Sequence, residues 1–165
     1  METSPSWGVI MSSIINHYYW SLVVMEDETK RISDQGTNFY LASQRCGEKR
    51  PINETQMQWL MIPEITCMAL SIELNLKAMM SYENKDKRET HNIEKLLKSL
   101  NGKTQAKIIS YTEVKTAQFW NDIKIINNAF EEWRYVYEKG AFNFDPTLIF
   151  KLGAACQKIT SETIS

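Results

Sequence analysis

At 165 residues the chain has the length of one ordinary domain, and its 43% hydrophobic and 24% charged content excludes collagen-like, rod-like and largely disordered classes. Lys plus Arg number 19 against 20 for Asp plus Glu, a formal net charge of -1, so bulk charge gives no general attraction to nucleic acid. Only 6 Gly and 4 Pro are present, too little turn chemistry for an all-β sandwich.

In chain order, the first predicted element is a helix over residues 6–26. Trp7, Ile10, Ile14, Tyr18, Leu22 and Met25 recur every three or four residues. Trp7 to Met25 carries no charge over 19 residues, but Ser12, Ser13, Asn16, His17 and Ser21 are costly in lipid. No Lys or Arg precedes the run, as a secretory leader would require. The expectation is a soluble amphipathic helix and no membrane span. Residues 27–54, with Gly36, Gly47 and Pro51, are polar and expected to form one long irregular loop inserted in the bundle, its length leaving room for a short helix or a binding role.

A long helix is predicted over residues 55–82, with Pro63 near its start. Ile65, Met68, Ala69, Ile72, Leu76, Met79 and Met80 form its main stripe, and Leu70 and Leu74 add a second apolar face. Such a helix is expected at the centre of the bundle. After the charged connection 83–89 comes a short helix bearing Ile93, Leu96, Leu97 and Leu100, with Thr90 or Asn92 as its cap and Asn101-Gly102 as its stop. Another short helix is predicted over 104–114. Over 116–139, Phe119, Ile123, Ile126, Phe130, Trp133 and Tyr137 make the clearest stripe in the sequence. The last helix opens at Asp145-Pro146 and presents Leu148, Ile149, Leu152, Cys156 and Ile159. The prediction is a single all-α domain over 1–165, an up-and-down bundle of five to six helices.

Sharp catalytic motifs are absent: no phosphate-cradling glycine loop, no H-E-x-x-H and no G-x-S-x-G occurs. Cys46, Cys67 and Cys156 are widely spaced, so no zinc knuckle or C-x-x-C redox site is expected, and Cys67 and Cys156 read as small buried hydrophobes. This usage fits a reducing, cytoplasmic compartment. His17 and His91 are the only histidines, and neither follows a Glu at the spacing of a bundle metal site. No metal or cofactor is expected.

Two segments invite a ligand. Arg134 lies among Trp133, Tyr135 and Tyr137, where a guanidinium can grip a phosphate while rings stack on bases, although Glu131 and Glu138 also place it in an ordinary salt-bridge ladder. Lys85 to Lys107 holds seven Lys or Arg, Lys85 and Arg88 among them, against three acidic residues, a modest basic patch suited to an RNA backbone and equally to a solvated face.

The segment Ala69-Leu70-Ser71-Ile72-Glu73-Leu74-Asn75-Leu76-Lys77-Ala78, followed by Thr90-His91-Asn92-Ile93-Glu94-Lys95-Leu96-Leu97 and then by Phe130-x-x-Trp133-Arg134-Tyr135-x-Tyr137-Glu138, resembles the HEPN superfamily over residues 55–160. The resemblance implies a helical bundle, paired as a homodimer, in prokaryotic toxin–antitoxin, phage-defence or RNA-processing systems. It also implies partners such as an antitoxin or a nucleotidyltransferase. Many members are metal-independent ribonucleases carrying R-x(4–6)-H, in which Arg holds the phosphate and His moves a proton. This chain lacks that motif: no histidine follows Arg134, and Arg88 precedes His91 by only three positions. His91 instead matches the family's helix-capping T-H-D position. The expected function is a non-catalytic module that binds RNA, a nucleotide or a protein partner through Arg134, Trp133, Tyr137, Lys85 and Arg88. The alternative is a divergent ribonuclease using Arg134 with Tyr137 or His91.

Overall fold

The computed structural model describes residues 28–85, 90–127 and 145–164. Three quarters of them are helical, in six α-helices with one two-stranded ribbon, so the architecture is an all-α bundle. In chain order these are α1 (Glu28–Cys46), β1 (Arg50–Pro51), β2 (Met57–Gln58), α2 (Met61–Tyr82), α3 (Ile93–Ser99), α4 (Gly102–Thr112), α5 (Thr116–Ile126) and α6 (Thr147–Thr163). The predicted N-terminal helix over 6–26 lies outside the described residues.

Helix α1 corrects the expectation of an irregular loop over 27–54. Its buried residues are Thr29, Ser33, Gly36 and Ser43, so the helical period is present but written in small and polar side chains. Hydropathy cannot see such a stripe, whereas close backbone packing can use it. Ser71 Oγ donates to the Gly36 carbonyl at 2.8 Å, and a Cβ on Gly36 would stand 3.0 Å from Asn75 Nδ2. The Thr29 and Ser81 hydroxyls meet at 2.7 Å at one end of the pair, and Ser43 Oγ donates to the Glu64 carbonyl at 2.8 Å at the other. The two helices are therefore antiparallel. Only residues 47–60 remain a connection, tied by the antiparallel pairs Arg50↔Gln58 and Pro51↔Met57.

Helix α2 is central, packing most extensively against α1 and then α6. Its predicted stripe from Ile65 to Met80 is buried throughout, while Leu70 and Leu74 are half-buried. Pro63 falls in the first turn, where its missing N–H leaves no hydrogen bond unmade. Gly153 lies against Met68, and Asn75 Nδ2 donates to Gln157 Oε1 at 3.2 Å, so α6 runs parallel to α2. Helices α4 and α6 are antiparallel, joined by Lys107 to Glu162 and by Lys158 over the Tyr111 ring. Leu148, Ile149, Leu152, Cys156 and Ile159 bury their predicted face on α6. Phe119, Ile123 and Ile126 do so on α5, and the continuation of that stripe through Phe130, Trp133 and Tyr137 lies outside the described residues.

Candidate functional site

Of the sequence-predicted ligand residues, Lys85 and His91 are described, whereas Arg88, Trp133, Arg134 and Tyr137 lie outside the described residues. Lys85 points inward. Its ammonium donates to the Ser99 carbonyl and pairs with Glu83, both at 2.7 Å, so it fastens the end of α2 to the end of α3. The structure uses it as a staple.

His91 occupies the turn before α3, and that turn is pinned from several directions. Thr90 Oγ1 accepts the Asn92 N–H at 3.1 Å, and Asn92 Oδ1 caps α3 by accepting the Lys95 N–H at 2.9 Å, the capping expected from sequence. Asn127, just beyond α5, adds a cap from outside: its carbonyl accepts the Ile93 N–H at 3.1 Å and its Oδ1 the Glu94 N–H at 2.8 Å. The imidazole Nδ1 lies 3.0 Å from both carboxylate oxygens of Glu73. Glu73 projects from α2 with a side chain only 4% exposed, and it also accepts from Lys77 Nζ at 2.7 Å. A carboxylate can only accept here, so Nδ1 carries a proton and the other ring nitrogen, Nε2, faces away from Glu73.

Glu73, Lys77 and His91 all fall in the segments that carry the family resemblance, and nothing in their spacing joins them. A carboxylate and an ammonium one turn apart on a mostly apolar helix were the available signal. Its meaning depended on a residue 18 positions away that only the fold brings back. Asn127 was missed for the same reason.

A second feature lies where the ends of α2 and α6 meet the start of α4. A cavity of about 230 Å³ has Met79 and Ile159 as its floor, with Tyr82, Lys103, Thr104 and Lys107 around it. Tyr82 is 56% exposed. Lys103 makes no hydrogen bond or ion pair among the described residues, whereas Lys107 Nζ donates to Glu162 at 2.8 Å. That bond holds the Glu162 carboxyl below its ordinary range and raises the Lys107 ammonium. Glu83 closes one side: it accepts from Asn101 N and Nδ2, from Thr104 Oγ1 and from Lys85. Burial pushes its pKa up, but the hydrogen bonds from Lys85, Thr104 and Asn101 outweigh that and hold it low. Lys85, Lys103 and Lys107, dispersed through the basic segment, thus come to one corner of the fold, but only Lys103 presents an unengaged cation there.

Among the described residues no three His, Cys, Asp or Glu side chains gather as metal ligands, and no helix is long and apolar enough to cross a membrane. No protein-family model, curated protein or solved structure matches the chain.

Proposed function

We propose that this chain is a HEPN-like helical module, non-catalytic in itself, that binds single-stranded RNA or a nucleotide in a toxin–antitoxin or defence setting. It does so as a homodimer, alongside a protein partner such as an antitoxin or a nucleotidyltransferase. The observation that carries the reading is the cavity flanked by Tyr82 and Lys103: an exposed ring for a base, an apolar floor and an open cation for a phosphate. The sequence pattern adds Arg134 with Trp133 and Tyr137 as a further phosphate and base contact, and Arg88 as a backbone contact. Binding by stacking and charge needs no histidine, which agrees with the absent R-x(4–6)-H motif.

Fluorescence anisotropy with a labelled single-stranded RNA and with a fluorescent adenine nucleotide tests this. Saturable binding that weakens with salt is expected, and it weakens further in Tyr82→Ala and Lys103→Ala. Failure of both probes to bind overturns the reading, and unchanged affinity in the double variant removes the cavity from it.

One observation favours a second reading, a metal-independent ribonuclease. Glu73 orients the His91 ring as a proton-transfer group requires, and Asn127, bonded to the residues that follow His91, precedes Arg134 by seven positions in sequence. In that chemistry Nε2 takes the proton of a 2′-hydroxyl while Arg134 neutralises the phosphate. RNA cleavage in the presence of chelator, lost in both His91→Ala and Arg134→Ala, selects this reading over the first.

A further inference from the structure

Four helix ends meet at one pole of the bundle: α2 and α6 finish there at Tyr82 and Thr163, and α1 and α4 start there at Glu28 and Gly102. Two cavities open at that pole. One is the cavity of about 230 Å³ flanked by Tyr82 and Lys103. The other, of about 400 Å³, lies between the start of α1 and the ends of α2 and α6, with Lys30, Ser81 and Asn84 in its lining. Tyr82 and Thr163 belong to both linings, so together they form the ridge between the two. Thr163 is held in place by its hydroxyl, which donates to the Ile159 carbonyl at 2.7 Å, and Tyr82 stands more than half exposed.

Each cavity has a share of the Tyr82 ring and one lysine that can turn to an anion. Lys103 makes no ion pair among the described residues. Lys30 makes only a 3.8 Å pair with Asp34, at 49% and 55% side-chain exposure, a contact that salt and water weaken readily. The carboxylates nearby are already answered, Glu83 by Lys85, Asn101 and Thr104, and Glu162 by Lys107. On the second side the Asn84 amide makes no hydrogen bond among the described residues, so its donor and acceptor are open to a base edge. The first cavity alone is smaller than the roughly 300–1,000 Å³ usual for ligand pockets, whereas the adjoining pair lies within that range.

Resting on the RNA-binding reading above, we infer that this pole takes two consecutive nucleotides of a single strand, one base on each side of Tyr82, with one phosphate at Lys103 and the next at Lys30. A lone nucleotide would leave one cation and one side of the ring unused, so the ligand is a strand and not a free mononucleotide. Stacking on a tyrosine is open to every base, and the site needs no fixed sequence.

Calorimetric titration of the full chain with adenosine 5′-monophosphate and with 5′-phosphorylated diadenylate tests this. The second nucleotide is expected to tighten binding by about fivefold to a hundredfold, as one more stacked base does. With the diadenylate, the amide chemical shifts of Thr104 in the first cavity and of Lys30 and Asn84 in the second should move together. Lys30→Glu, at an exposed position in the first turn of α1, is expected to weaken diadenylate binding. A diadenylate that gains less than about fivefold over the monophosphate overturns the two-nucleotide site and leaves the broader binding reading standing. So does one that shifts amides in one cavity only or is indifferent to Lys30→Glu. Binding of neither probe removes both.

Discussion

Glu73 receives the His91 ring from one side and Lys77 from its own helix, with Nδ1 3.0 Å from each carboxylate oxygen and Lys77 Nζ 2.7 Å from Oε1. A nearly buried carboxylate is costly unless its charge is answered. The arrangement answers it twice and, in doing so, fixes the ring of the one histidine among the described residues. It also ties the turn before α3 to the middle of the central helix, so the same bonds serve the fold and the site.

Removing the charge of Glu73 while keeping its shape should therefore cost both stability and ring order. Glu73→Gln is expected to lower the unfolding free energy by about 1–3 kcal/mol in urea titration. Nitrogen chemical shifts of His91 should lose the Nδ1–H tautomer. An unchanged tautomer population in the folded variant would show that Glu73 does not orient the ring.

Asn127 reaches α3 with both its backbone and its side chain. Truncating it removes only the side-chain cap on the Glu94 N–H. Asn127→Ala should cost about 1 kcal/mol, as N-cap losses do. Faster amide exchange at Glu94, with the α4–α6 seam unchanged, is the signature to look for.

Gly36 allows α1 to approach the polar centre of α2. A methyl group there meets Asn75 Nδ2 at 3.0 Å, Cγ at 3.2 Å and the backbone nitrogen at 3.3 Å, and backbone cannot swing away. Gly36→Ala should gain helix propensity yet lose stability overall, by about 1–3 kcal/mol from overpacking. A thermal midpoint at or above wild type would show that α1 does not pack as described.

Acid should loosen the corner around Glu83. Its pKa is lowered in the folded protein from the ordinary 4.5, so the stability it contributes is fully present above that value and is lost as pH falls through the lower, folded value. Chemical denaturation from pH 7 downward is expected to show stability falling below about pH 4.5 in wild type, with a shallower fall in Glu83→Gln. Parallel curves for the two proteins would remove Glu83 from the acid response.

What the sequence determined by itself was everything that repeats along one helix. The stripes of α2, α5 and α6, a cap for α3 at Thr90 or Asn92, of which the fold uses Asn92, and the all-α class follow from local spacing and capping chemistry. At α6, by contrast, the cap position falls on Pro146, and Asp145 accepts the Thr147 N–H from one residue before it. Tertiary structure alone decided that α1 is a helix, because its buried stripe of Thr29, Ser33, Gly36 and Ser43 is stabilised by close contact with α2 and carries no hydropathy of its own. It likewise decided which titratable groups meet. Glu73 with His91 and Glu83 with Thr104 are joined across 18 or more positions, and no periodicity encodes a contact between residues on different elements.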